Sequence, residues 1–520
     1  MKPLRTVLIA IIFFIALSSI TSQPQALPNL ALSRLNYTVT KRRVNPQGEL
    51  KSKIDAVDVS LAIATNQGQV GEVRRLIAKG LTLLAGKEWT DDLDFQSSLA
   101  LRSEHLFVDS SKPYGLRLEQ IYTPSLKLQH SLSAHVWLAK PLAPGGLANI
   151  GLPSQPAGAE KDLGKFDDVS RDLRESPFRM DVDVSGLPDG PYQIQAELFE
   201  QTQSLGVVTS RVILRKDLDA TLARIENDAA KLPQGVRPEA LYPVEYVRNV
   251  DRGRVEIGAF DIAKELASAD QVLATVRTGK DPFADRTGDF KRHYLFKAAG
   301  EIMPYHIYVP TSYNTSRAFP LVVALHGLGA SEDSMFSPVY GGVAKLAEQH
   351  GFIVVAPLGY RIDGGYGAFR VPGQNSRRTE LSDQEVMEAF QLVKQQYKID
   401  ESRIYLMGHS MGGIGTWAMA ANHPGLWAAL GPISGTGDPA IIGKIGPVPQ
   451  IVVHGDADDV VPVAGSRNMV AEMKKLGFEV KYIEVPGGNH GNVAAPNMAA
   501  IFDFFDAHRK GQAGAAVSGR

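Results

Sequence analysis

The chain contains no cysteine among its 520 residues. That excludes disulfides, thiolate metal sites, a cysteine nucleophile and a lipidated N-terminal cysteine, so an exported form must rely on ordinary apolar cores for its stability. An excess of charge of one sign is also missing. Lys and Arg total 55 against 56 for Asp and Glu, and basic residues gather only at Lys41-Arg42-Arg43. A nucleic-acid-binding surface is therefore not expected. No repeat of fixed period is apparent. What is present is a hydrophobic content of 44% with 21% charged residues, as in water-soluble globular proteins. The length implies two or three domains.

One long apolar run exists, Val7 to Leu17, preceded by Lys2 and Arg5 and followed by a polar stretch. This is the layout of a secretory leader, and the run is short for a membrane span. Residues 1–26 are read as a signal peptide, which predicts a periplasmic or secreted protein. No stable membrane partner is expected beyond that signal.

From Ile54 to Gly86 the apolar spacing is helical. Between His105 and Arg215 the period becomes two: Leu132, Ala134, Val136 and Leu138 alternate with polar or aromatic residues, as do Phe178 to Val184 and Tyr192 to Leu198. Short strands separated by turn residues predict an antiparallel β-sandwich. The Gly-, Pro- and Ala-rich stretch Pro141 to Lys165 reads as a long loop within it. Helical character returns from Asp217 to Thr278, and 278–290 reads as a linker. Beyond it, Pro320–His326, Phe352–Pro357, Arg403–Met407 and Gln450–His454 are buried-strand runs separated by helical segments such as Asp383–Tyr397. That alternation predicts an α/β domain with a mostly parallel sheet, whose ligands bind at the carboxyl ends of the strands. The expected divisions are 27–285, a helical and β-sandwich region; 286–510, the α/β domain; and 511–520, a flexible tail.

Gly408-His409-Ser410-Met411-Gly412 follows a strand and opens a helix. A serine on such a sharp turn projects its hydroxyl from the sheet, and the flanking glycines avoid collisions with neighbouring backbone. Ser410 is thus the candidate nucleophile. In this architecture an acid and then a histidine follow the serine. Of 12 histidines, only His490 and His508 come late enough. His490 lies in a glycine-rich loop after the strand Glu479–Val485 and is the candidate base, whereas His508 sits at the end of a terminal helix. The turn after Gln450–His454 offers Asp456, Asp458 and Asp459 as the acid. Its calcium reading is weak, since the glycine and glutamate of a calcium loop are missing. An anion pocket is expected from the backbone amides of Leu328 and Met411. One such donor is worth about 3–4 kcal/mol of barrier. His326 is expected to be structural. Ser382 with Glu385 reads as a capping box for the next helix.

Together these residues resemble the α/β-hydrolase superfamily over 286–510. "MPYHIYVPTSYNTSRAFPLVVALHGLG" and "GHSMGG" look like its secreted esterase group, which includes polyhydroxybutyrate depolymerases and feruloyl and acetyl-xylan esterases, with prolyl-oligopeptidase-like peptidases as relatives. "HGDADDVVP" is similar to the superfamily's His-Gly-x-x-Asp-x-x-Val-Pro pattern, whose aspartate is the triad acid; that aspartate falls on Asp458. The resemblance also implies an Ig-like domain before the catalytic one. The cysteines frequent in fungal feruloyl esterases and many depolymerases are absent.

The implied function is hydrolysis of small or polymer-linked carboxylic esters by a Ser410–His490–Asp458 triad, without a metal or an organic cofactor. A serine peptidase and a non-catalytic binding protein of the same fold are the alternatives. The short connection Gly435–Pro447 carries no cap, so the site is expected to be open. Residues 359–383 are expected to form one wall. There Tyr360, Tyr366 and Phe369 would pack an aryl acid and Arg370, Arg377 or Arg378 would meet a carboxylate, unless these side chains merely pack together or face solvent. The N-terminal region is read as a spacer or shield for the esterase domain, with polysaccharide or partner binding as the alternative.

Overall fold

The computed structural model describes residues 30–141, 157–255, 260–368 and 376–511. The expected leader and nearly all of the expected tail lie outside them.

Three helices come first: α1 (Leu30–Val44), α2 (Gly48–Asn66) and α3 (Val70–Leu84). Their shared core holds Tyr37, Ile54, Val57, Val73, Ile77 and Leu81. The aromatic ring of Tyr37 lies over Gly80, where a Cβ would come within 2.4 Å of it. A short helix, α4 (Asp91–Ser98), is capped by the Thr90 hydroxyl, which accepts from the Leu93 amide.

Eight strands follow: β1 (Leu99–Ser103), β2 (Phe107–Asp109), β3 (Tyr114–Gln120), β4 (Leu132–Ala139), β5 (Ala159–Val169), β6 (Phe178–Val182), β7 (Gly190–Glu200) and β8 (Gln203–Arg215). They form one sheet of order β1-β3-β6 and another of order β2-β8-β7-β4-β5, and side chains of both meet in one core. Alternation in β4 works as read: Leu132, Ala134, Val136 and Leu138 all point into that core. β5 corrects the loop expected over Pro141–Lys165, of which 142–156 lie outside the described residues. It is an edge strand paired only with β4 and exposed along most of its length, so it carries no apolar alternation.

Helices α5 (Leu218–Ala229), α6 (Arg237–Asp251) and α7 (Ile262–Arg277) occupy the next stretch. Their apolar faces join a single cluster with the sheet that follows. Leu222, Ile225, Val247 and Leu266 belong to the same core as Tyr305, Val323 and Leu406. The apolar core therefore crosses the position 285/286.

The remaining elements are β9 (Gly288–Phe296), β10 (Glu301–Val309), β11 (Phe319–Leu325), α8 (Val343–His350), β12 (Ile353–Pro357), α9 (Ser376–Gln396), β13 (Ile399–His409), α10 (Met411–Asn422), β14 (Ala429–Ile433), α11 (Ile442–Ile445), β15 (Gln450–Gly455), α12 (Ala464–Lys475), β16 (Val480–Val485) and α13 (Ala494–Asp506). The strands form one sheet of order β16-β15-β14-β13-β11-β12-β10-β9. The six from β16 to β12 are parallel, and β10 pairs antiparallel with both β12 and β9. Both faces are buried, one in the core that includes α9 and α10 and the other in a core with α8 and α13. Hence β11 and β12 read as unbroken apolar runs.

The expected capping box is corrected. Ser382 and Glu385 lie inside α9, both fully buried. The Ser382 hydroxyl accepts from the Tyr366 amide, while the Glu385 carboxyl accepts from the Gly359 amide and the Tyr294 hydroxyl. Both side chains tie the helix to the loop after β12. Among the described residues no helix is long and apolar enough to cross a membrane.

Candidate active site

Ser410 sits between β13 and α10 with φ 58° and ψ −117°, a backbone conformation that L-residues rarely adopt. Its turn is held by its own amide donating to Ile433 and its carbonyl accepting from Ile414. The glycines around it are dictated by contact. A Cβ on Gly408 would stand 2.4 Å from the Gly412 carbonyl oxygen, and one on Gly412 would stand 2.1 Å from that of Leu325. Helix α10 thus packs directly onto β11 and β13, and the serine is turned out at its N-terminus.

The loop after β16 carries His490 to this point. Its Nε2 lies 2.8 Å from Ser410 Oγ, and its Nδ1 lies 2.8 Å from Asp458 Oδ2. The aspartate orients the ring so that Nδ1 holds the proton and Nε2 accepts from the serine hydroxyl. Asp458 is fixed in turn: its Oδ1 accepts from the amides of Val460 and Val461. Burial pushes its carboxyl up, but hydrogen bonds from His454 and His490 outweigh this and hold it well below the usual carboxylate range.

The three acids of the β15 turn are sorted by their partners. Asp456 accepts from the Gly487 amide, Asp458 faces His490, and Asp459 pairs with Arg43 of α1. His508 is remote from the serine in its bonding, facing the Phe504 carbonyl and Glu479. His326 is fully buried, its ring nitrogens 2.8 Å from the carbonyl oxygens of Gly327 and Leu358.

The loop after β11 runs alongside the serine, since a Cβ on Gly327 would stand 3.4 Å from Ser410 Cβ. It is pinned by the Gly329 amide donating to Ile362. Leu328 lies within it, and Met411 is the first residue of α10, where an amide has no intrahelical acceptor.

Sequence reasoning missed two histidines. His409 is buried beside the serine; its Nε2 lies 2.9 Å from the His490 carbonyl oxygen and its Nδ1 3.1 Å from the Tyr340 hydroxyl. Burial and the neighbouring His490 push its pKa down to about 4, so near neutrality Nε2 donates to His490 and Nδ1 accepts from Tyr340. His454 is buried under the acid, with Nε2 3.2 Å from Asp458 Oδ2 and Nδ1 2.7 Å from Ser466 Oγ. Its place in "HGDAD" was the available signal, because a residue four before the acid at a strand end stays within reach of it.

The expected wall over 359–383 is partly corrected. Tyr366 is fully buried, with its hydroxyl on the His326 carbonyl, so it supports the site from beneath. Arg378 pairs with Asp363, and Arg377 donates to the Ala298 carbonyl. Tyr360 lies under the Arg361 guanidinium. Phe369 and Arg370 lie outside the described residues. Among the described residues no group of three or more histidine, aspartate or glutamate side chains is arranged to hold a metal ion.

The family model described as "Putative esterase" matches residues 297–483. That stretch holds Ser410 and Asp458 and ends just before His490. Among curated relatives, the bifunctional acetylxylan esterase/xylanase XynS20E of Neocallimastix patriciarum is 33% identical over 176 residues, covering 33% of this chain and 23% of its own length. "Probable feruloyl esterase C" of Aspergillus terreus is 26% identical, over 45% of this chain and 83% of its own. Cutinase 2 of Thermobifida cellulosilytica is 28% identical, over 37% of this chain and 66% of its own. The chain thus spans less than a quarter of the first of these relatives. Among solved structures, a thermostable esterase aligns with a TM-score of 0.38 at 18% identity, over 73% of this chain and 90% of its own.

Proposed function

We propose that the chain is a serine carboxylesterase of the α/β-hydrolase type. The observation that carries this reading is the hydrogen-bonded series Ser410–His490–Asp458, with the serine on a strained strand-to-helix turn. Ser410 Oγ attacks the ester carbonyl carbon while His490 Nε2 takes its proton. The carbonyl electron pair moves onto oxygen, where the amides of Leu328 and Met411 receive it. Collapse breaks the bond to the alkoxy oxygen, His490 protonates the departing alcohol, and an acyl-Ser410 remains. Water then adds to that acyl group, giving its proton to His490; the acid leaves and the proton returns to Ser410. Asp458 stays ionised and holds the imidazolium.

Small or polymer-linked carboxylic esters are the proposed substrates, a reading supported by the names of the relatives. Export through the leader at 1–26, and an Ig-like character for the sandwich within 27–285, belong to the same proposal. The catalytic unit takes 286–510, with α5–α7 as its packed neighbours.

The test compares the full chain with Ser410→Ala on nitrophenyl acetate and octanoate, methyl ferulate, acetylated xylan and a peptide anilide. Ester hydrolysis that disappears in the variant is the expected result. Turnover confined to the anilide would instead make this a peptidase. No turnover, together with no mass adduct on Ser410 after fluorophosphonate treatment, would leave a binding protein.

A further inference from the structure

The connection between β14 and β15 is short, holding only α11 among the longer elements. From Leu30 to Lys41, α1 has no exposed residue. One side is accounted for by α2 and α3: Tyr37 and Lys41 both bond to Asp58, and Tyr37 packs on Gly80. The other side meets the catalytic region at two places. Leu32 lies against Gly329, where a Cβ would come within 3.3 Å of its side chain. Ten residues later Arg42 donates to the carbonyl oxygens of Asp459, at 3.2 Å, and Val460, at 2.7 Å. Arg43 pairs with the Asp459 carboxylate.

Those contacts fix where the helix runs. Gly329 follows β11 and Asp459 follows β15, and between these strands lie β13 and β14. Three strand spacings amount to about 14 Å. Ten helical residues amount to about 15 Å. α1 therefore runs across the carboxyl ends of these strands, which include that of β13 with Ser410 at its end.

We infer that α1 is a wall of the substrate site and that Leu32 is a specificity-determining residue, limiting the size of the ester substituent that extends from Ser410 past Gly329. This rests on the esterase reading above. The arginine clamp at the acid loop holds α1 in place: Arg42 grips two carbonyls and Arg43 one carboxylate on a loop that also carries Asp458. Bulky groups meet the leucine side chain, whereas an acetyl-sized group passes it.

The test measures kcat/KM of the full chain for nitrophenyl acetate as reference, nitrophenyl octanoate as a large acyl group and naphthyl acetate as a larger alcohol. Variants are Leu32→Ala, Leu32→Trp and the surface pair Arg42→Ala with Arg43→Ala. Relative to the reference, Leu32→Ala and the arginine pair should raise turnover of one bulky ester about fivefold or more, and Leu32→Trp should lower it by a similar factor. Reaction rates of a small and a large fluorophosphonate with Ser410 should follow the same order, which reads the wall without requiring ester turnover. Ratios constant within about twofold across variants whose circular dichroism matches wild type would overturn the wall while leaving the esterase intact. A wild-type chain that neither hydrolyses esters nor labels at Ser410 would overturn the esterase reading, and the wall with it.

Discussion

At most positions alanine is more stable than glycine, because glycine has more freedom to lose on folding. At position 410 the order should reverse. Ser410 holds φ 58° and ψ −117°, the mirror image of an ordinary extended conformation. Any Cβ there carries a backbone strain of about 1–3 kcal/mol, whereas glycine adopts mirror conformations freely. Against that release stands the larger unfolded-state entropy of glycine, about 0.4–1 kcal/mol. Taking the middle of each range, Ser410→Gly should therefore exceed Ser410→Ala in stability by about 1.3 kcal/mol. Both variants lose the same hydrogen bond to His490, so that loss cancels in the comparison. In thermal terms the gap amounts to a few degrees, since about 1 kcal/mol moves the midpoint by roughly 2–4 °C in a domain of this size. Urea unfolding followed by fluorescence is the assay, with Trp417 and Trp427 buried in this region as reporters. Equal midpoints, or alanine above glycine, would refute the claim that the turn stores strain on the serine.

Three further outcomes follow from the same geometry. Asp458→Asn should lower kcat on esters by about 10⁴-fold through loss of the correct imidazole tautomer. Because the folded carboxyl titrates below its unfolded value, its stabilisation is present above about pH 4 and fades on acidification, so the stability gap between wild type and this variant should close as pH falls. Glu385, buried and pushed up to about 8, behaves oppositely: between its unfolded pKa and 8 the folded state binds the extra proton, so stability declines as pH rises across that window, and Glu385→Gln should flatten the slope in urea titrations at pH 5 to 8. His409→Leu, which removes the donor to the His490 carbonyl, should reduce kcat about ten- to hundredfold with KM little changed; His409→Gln, which keeps an N–H, should lose less.

Local contact chemistry made the centre of the α/β region legible from the chain alone. Gly408 and Gly412 are required because a Cβ at either would strike backbone within 2.4 Å, so the motif is a direct record of helix-on-strand packing. Strands β11 and β12 are buried on both faces and announce themselves as unbroken apolar runs, and β15 carries the apolar Ile451-Val452-Val453 at its centre. β14 did not, because Gly431 and Pro432 interrupt its apolar run. Gly431 is there for lack of room, a Cβ meeting Ile501 at 3.0 Å and Phe505 at 3.1 Å. Likewise, three aspartates in one turn look alike in sequence. Only the tertiary structure sets His490 before Asp458, Gly487 before Asp456 and Arg43 before Asp459. Helix α1 was the least legible element. It is covered on two sides by different partners, so no single apolar stripe marks it, and its contacts with Gly329 and Asp459 lie roughly 300 to 400 residues away in the chain. The sequence by itself determined the Ser410 turn and the type of sheet behind it, because those depend on neighbours a few residues apart. Which acid faces the histidine, and which loops α1 packs against, were decided by long-range packing that no local pattern encodes.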